Sequence, residues 1–224
     1  MCRFHIFLVA ILVITSGQFI RAEQRPIEFK DMFAMGRVAN AQISPHGKWV
    51  AYQATYYNVE DNSKNADIYL VSTDGKQHKR LTFDPKMDTS PRWSPEGDRL
   101  AFISNREGTS QVYLLNLKGG EARQATDIPT GVNSFNWSPD GNYFAVATDV
   151  YPEAESPSES AEMEEERSKD LATGKVIDNL LYRHWNSWRN GKYSHLVVVP
   201  VEGGEAVDIT PGANDTPPIS LGSD

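Results

Sequence analysis

The densest set of side chains able to grip a substrate is Leu180-Leu181-Tyr182-Arg183-His184-Trp185-Asn186-Ser187-Trp188. Arg offers a planar cation for carbonyl or carboxylate groups, and Trp offers flat apolar faces. Both are enriched where proteins hold their partners. Arg183, Trp185 and Trp188 are therefore candidate substrate contacts. The same composition also reads as a strand that packs this segment against its neighbours. A second candidate lies upstream, where residues 153–170 hold eight acids and two bases. Ser160–Arg167 is good helix-forming sequence. Within it, Glu164 and Glu165 are a carboxylate pair of the kind that would hold a peptide's free amino terminus. A solvated helix face is the simpler reading of such a run.

Other chemistries have no residues here. The chain holds no Gly-x-Ser-x-Gly elbow, no Gly-x-Gly-x-x-Gly and no Walker loop. Its five histidines, His5, His46, His78, His184 and His195, show no zinc-type spacing. No catalytic residue, metal or cofactor is expected in this chain. Lys and Arg total 22 against 30 Asp and Glu, a net charge of −8 that argues against a nucleic-acid-binding face.

The elements that position these residues are legible as a repeat. Ala41–Tyr52, Pro91–Phe102 and Ser134–Val146 each contain Ser-Pro-x-Gly, starting at Ser44, Ser94 and Ser138. Each copy continues with an apolar run: Asp67-Ile68-Tyr69-Leu70-Val71, Gln111-Val112-Tyr113-Leu114-Leu115 or His195-Leu196-Val197-Val198-Val199. A Gly-containing turn follows, then Leu81-Thr82, Ala125-Thr126 or Ile209-Thr210. Pro and Gly set tight turns, and the aromatic and β-branched runs favour strands. The turn spacings of 50 and 44 residues fit β-propeller blades of about four antiparallel strands. The Ser and Asp residues of these turns are expected to be turn-makers, and His46 to be exposed. Stacked blades would bury both faces of each sheet, which accounts for the unbroken apolar run at Leu196–Val199.

The expected fold is all-β: a partial propeller of about three blades, too few to close a ring. The third blade carries an insertion, residues 148–191, between strands Tyr143–Ala147 and Ser194–Val199. Its acidic part is expected to protrude. At the amino terminus, Arg3 followed by the nine apolar residues Ile6–Ile14 reads as a signal peptide, residues 1–22, cut after Ala22. The run is too short to span a bilayer. Removing it takes Arg3, Arg21 and the sole cysteine, Cys2, giving a net charge of −10. An exported protein, periplasmic or secreted, is expected. Residues 23–224 would then be an incomplete propeller domain, held by its core without disulfides.

The repeats, with Ser104-Asn105-Arg106-x-Gly108 following, resemble those shared by the Tol-system periplasmic protein and the prolyl oligopeptidase family. Tyr182–Trp188, then Gly191–Gly204 and Asp215–Gly222, resemble the third-blade region of the family's dipeptidyl-peptidase and acylaminoacyl-peptidase branch. The resemblance covers residues 30–224. It implies an N-terminal propeller that gates short peptides to a C-terminal α/β-hydrolase domain, absent from this chain, bearing a Ser, Asp, His triad. The alternative is a non-enzymatic periplasmic binding propeller of the Tol type.

Overall fold

In the computed structural model, which describes residues 25–172, 174, 176–177, 183–184 and 187–216, every Ser-Pro-x-Gly segment closes a hairpin. The glycine N–H donates to the serine carbonyl at 2.8 Å in Ser44–Gly47, 2.9 Å in Ser94–Gly97 and 3.0 Å in Ser138–Gly141. The serine hydroxyls are consumed locally. Ser44 Oγ accepts from the Trp49 N–H, Ser94 Oγ from Arg99 and Ser138 Oγ from Tyr143, at 2.9–3.1 Å. These serines act as the turn-makers their context predicts.

A short helix, α1 (Phe29–Ala34), leads into three four-stranded antiparallel sheets. The first contains β1 (Arg37–Ile43), β2 (Trp49–Asn58), β3 (Ser63–Ser72) and β4 (His78–Arg80). The second contains β5 (Asp88–Trp93), β6 (Arg99–Ser104), β7 (Gln111–Asn116) and β8 (Arg123–Gln124). The third contains β9 (Ser134–Trp137) and β10 (Tyr143–Val150). Helix α2 (Pro157–Ser168) and a separate ribbon of β11 (Arg183–His184) and β12 (Ser187–Trp188) follow. β13 (Tyr193–Pro200) and β14 (Val207–Asp208) complete that sheet. The three sheets form a partial propeller that does not close.

Strand alternation divides the core in two. Ala101, Ile103, Val112 and Leu114 pack with Phe135, Phe144, Val146, Val197 and Val199 of the third sheet. Leu100, Phe102, Tyr113 and Leu115 pack with Ala51, Ile68 and Leu70 of the first. Among the described residues, the middle sheet is thus the one whose two faces are both covered by another sheet. In β13, His195, Val197 and Val199 are buried, while Leu196 and Val198 are half-buried. The expectation that both faces of Leu196–Val199 are buried needs correcting. A sheet face is covered only where another sheet stacks on it, and three stacked sheets cover both faces of the central one alone.

Two devices set the spacing between sheets. Trp93 Nε1–H donates to the Gln42 carbonyl at 2.9 Å, and Trp137 Nε1–H to the Arg92 carbonyl at 3.3 Å. The turns also stack: a Cβ on Gly97 would stand 3.2 Å from Pro45 Cδ. Exposed His46 lies in the same contact, its Nε2 at 3.1 Å from the Glu96 carbonyl. Gly97 and Gly75 share a φ of +72°, but a Cβ on Gly75 meets nothing within 4 Å. Alanine at either site carries the left-handed penalty of about 1–2 kcal/mol. Gly97→Ala is expected to cost more than Gly75→Ala in urea melts. Equal costs would show that the Pro45 contact does not set the spacing.

A polar clasp, buried in the first two sheets and half-buried in the third, joins the third and fourth strands of each sheet. Ile68, Val112 and Leu196 each donate their N–H to a threonine Oγ1, of Thr82, Thr126 and Thr210, at 2.9–3.0 Å. The preceding residue occupies an equivalent slot with different chemistry. Asp67 accepts from Arg80 at 2.8 Å. Gln111 Nε2–H donates to the Ile128 carbonyl at 2.8 Å. His195 lies between Asp208 Oδ2 at 2.6 Å and the Gly212 carbonyl at 2.7 Å. Pairing these buried polar groups offsets part of the desolvation cost they would otherwise carry.

Candidate functional site

The insertion leaves the third sheet at the end opposite the Ser138–Gly141 turn, between β10 and β13. These strands pair from Tyr143↔Pro200 to Val150↔Tyr193. The ladder therefore continues through Thr148–Val150, which belong to the blade and not to the insertion. Ser156 then caps α2, its Oγ accepting from the Glu159 N–H at 3.2 Å, with Pro157 at the first helical position. These are strong helix-start signals. The helix lies in the expected acidic segment, and Glu153, Glu155, Glu159, Glu162, Glu165 and Glu166 are exposed.

The helix is docked rather than free. Ser160 is fully buried and its Oγ accepts from the Tyr151 N–H at 2.9 Å. The Tyr151 ring, 2% exposed, has the Arg167 guanidinium 3.9 Å and the Lys192 ammonium 5.4 Å from its centroid. The Tyr151 hydroxyl donates to Glu164 Oε2 at 2.5 Å, and Lys192 Nζ lies 2.8 Å from the same oxygen. Burial, then Glu164, raises the Tyr151 pKa. Lys192 and then Tyr151 hold the Glu164 carboxyl below its ordinary value. Glu165 points elsewhere, pairing with Lys169 at 3.0 Å. Adjacent helical residues diverge by roughly 100°, so Glu164 and Glu165 do not converge as a pair.

Because its pKa is lowered, Glu164 contributes stability above the ordinary glutamate range. That contribution is lost as pH falls through the depressed value. Acidification across this window is expected to lower amide-exchange protection factors in α2. Glu164→Gln should flatten that response. Protection that tracks pH equally in both proteins would refute the clamp.

The second group of candidates sits on the ribbon. Arg183 pairs with Trp188 across it, and the Arg183 guanidinium carbon is 6.0 Å from the Trp188 ring centroid. Arg183 is exposed and Trp188 is 49% exposed. Trp185 lies outside the described residues. A cation beside an accessible indole face can take a peptide carbonyl or carboxylate together with an apolar side chain. The strand expected here forms as one half of a ribbon with its own two-stranded pairing, since neither β11 nor β12 joins the ladder of the third sheet.

Arg189 anchors the foot of this ribbon. Its Nη2–H groups reach Asp215 Oδ1 at 2.5 Å and the Lys192 carbonyl at 3.1 Å. Asp215 Oδ1 also accepts from the Ser194 N–H at 3.1 Å. Asn190 and Gly191 have φ of +53° and +81°, and the Lys192 N–H donates to the Arg189 carbonyl at 3.0 Å. The Asn-Gly dipeptide was a readable turn signal. Lys192 links the foot to α2 through Glu164, so helix and ribbon share one support. Sequence reasoning did not single out Tyr151, Arg189, Lys192 or Asp215. Among the described residues, no group of three His, Cys, Asp or Glu side chains could hold a metal ion.

Stacked antiparallel four-stranded sheets with an accessory helix and ribbon on one blade define a propeller-type module. Residues 63–224 match the family described as the Tricorn protease N-terminal beta propeller domain, and the chain belongs to that family. It is 31% identical over 159 residues to dipeptidyl-peptidase 5 of Porphyromonas endodontalis, covering 70% of this chain and 22% of that protein. It is 36% identical over 181 residues to the uncharacterized peptidase YuxL of Bacillus subtilis, covering 80% of this chain and 27% of that protein. The chain thus spans about a quarter of the length of these relatives. The structure of an acylaminoacyl peptidase from Pyrococcus horikoshii superposes with a TM-score of 0.60 at 20% identity. That superposition covers 80% of this chain and 25% of that one. The resemblance to the propeller portion of prolyl oligopeptidase family peptidases, drawn from the repeats and the segment after Tyr182, holds.

Proposed function

We propose that this chain is the substrate-gating propeller portion of an exported serine exopeptidase acting on short peptides, of dipeptidyl or acylaminoacyl type. The observation that carries this reading is the insertion of the third blade. It presents Arg183 and Trp188 at one end of the sheets, on a foot braced by Arg189–Asp215 and by the Glu164–Lys192 pair. In this reading Arg183, Trp185 and Trp188 bind peptide, and Glu164 braces their foot through Lys192. An α/β-hydrolase domain of the same protein supplies the nucleophile. Export rests on residues 1–22, which read as a signal peptide.

The test uses the full-length protein with chromogenic dipeptidyl and acyl-aminoacyl substrates and a fluorophosphonate label. Cleavage of short peptides, sparing of folded proteins and labelling are expected. Arg183→Ala and Trp188→Ala should raise KM with kcat little changed, the pattern of lost uniform binding. The 224-residue chain alone should hydrolyse nothing, because acyl transfer needs a polarised nucleophile and an oxyanion hole. An inert, unlabelled full-length protein would transfer the assignment to a non-enzymatic binding propeller.

A further inference from the structure

Away from the insertion, residues of the first and second sheets and the segments that follow them line a pocket of about 280 Å³. Trp49, Leu70 and Leu81 from one sheet and Leu115 and Leu117 from the other give it an apolar lining, with Lys79, Arg80 and Asn116 beside them. The Gly119-Gly120 turn forms its lip, and a Cβ on either glycine would meet nothing within 4 Å. The volume has room for one large apolar side chain.

Two cations border it: Arg80 is held in an ion pair, while Lys79 has a ring contact and, among the described residues, no ion pair. The Arg80 guanidinium donates to Asp67 at 2.8 Å and to the Thr82 carbonyl at 2.9 Å. Lys79 is exposed, with its ammonium 5.4 Å from the Trp49 ring centroid. Among the described residues no carboxylate pairs with it. Lys79 also belongs to β4, the terminal strand of its sheet, which among the described residues pairs with β3 on one side only. An open strand edge accepts an extended chain through main-chain hydrogen bonds.

We propose that this groove docks an extended peptide segment bearing a large apolar side chain next to a carboxylate. The apolar side chain fills the pocket, the carboxylate pairs with Lys79 Nζ, and the backbone runs beside β4. The free edge is what favours a peptide over a simple acyl carboxylate, which has no amide groups to pair. The proposal is independent of the peptidase reading, since it uses no residue of the insertion.

Fluorescence anisotropy on the full-length protein tests it, with fluorescein-labelled Gly-Ser-Phe-Asp-Ser-Gly-amide as the probe. Binding is expected to weaken about tenfold when the probe's Phe is replaced by Ala, the loss of one buried aromatic side chain. Replacing its Asp by Asn, or Lys79→Met in the protein, should each weaken it about three- to fivefold at low salt, as for an exposed ion pair. The two changes together should cost no more than either alone, and Lys79→Arg should retain binding. Lys79 is a surface residue, so these variants should keep the parent's melting temperature. An undetectable complex, or binding indifferent to Lys79→Met, would overturn the proposal. Displacement of the probe by octanoate at matching concentration would replace the peptide with an acyl carboxylate.

Discussion

Phe144→Ala is expected to remove a large share of the stability of this module, about 3–5 kcal/mol. Single domains have only about 5–15 kcal/mol in total. Phe144 is fully buried in β10, where it pairs in register with Trp137 on one side and Val199 on the other. Its ring centroid lies 5.5 Å from that of Phe135 and 4.6 Å from that of Trp137. Truncation would open a cavity in the layer joining the second and third sheets, and paired β-strands cannot collapse far to fill it. The damage should reach the site as well, because β10 runs directly into Tyr151 and the α2 clamp. Phe144→Leu keeps most of the volume and is expected to cost much less. Urea melts of the two variants give the comparison. A loss below about 1 kcal/mol for Phe144→Ala would mean that this layer does not hold the blades together.

Asp88→Ala is expected to destabilise by about 3 kcal/mol, the lower end of the range for breaking a buried ion pair. Asp88 is fully buried at the start of β5. Arg106 Nη2 reaches both its carboxylate oxygens at 3.0 Å, and Arg106 Nε–H donates to Ser104 Oγ at 3.0 Å. The guanidinium carbon also lies 4.5 Å from the Tyr113 ring centroid. Removing Asp88 leaves this cation with only the looser Asp84 carboxylate, 3.9 Å from its Nε. Arg106 keeps 19% side-chain exposure, so water relieves part of the cost. Replacing both partners, Asp88→Leu with Arg106→Met, should recover most of the loss, because neither charge is then stranded. Additive costs in that double-mutant cycle would show the two residues to be uncoupled.

The blade repeat was legible because its determinants are local. A Ser-Pro-x-Gly turn is written in consecutive residues, and alternating burial is written in the side chains of one strand. Helix α2 was legible for the same reason, from its run of strong helix formers. The site was legible only in part. Composition marked Arg183, Trp188, Glu164 and Glu165. It did not show that Glu164 turns inward to Tyr151 and Lys192 while Glu165 turns to Lys169, since that depends on where the helix docks.

The sequence by itself therefore determined the class of fold, the number of four-stranded units, their turns and the place of the insertion. These follow from backbone preferences and from side-chain periods of two residues, both set within a few positions along the chain. Only the tertiary structure decided what joins the units. Pro45 meets Gly97, and Trp137 meets the Arg92 carbonyl, across separations of 52 and 45 residues. Asp67, Gln111 and His195 hold one slot in three copies, yet their different partners come from Arg80, Ile128 and Asp208. Tyr151 looked like one more aromatic residue at the end of a strand. It became the support of the candidate site because folding set Arg167, Lys192 and Glu164 around it, and contacts between distant residues depend on how the sheets stack rather than on any local pattern.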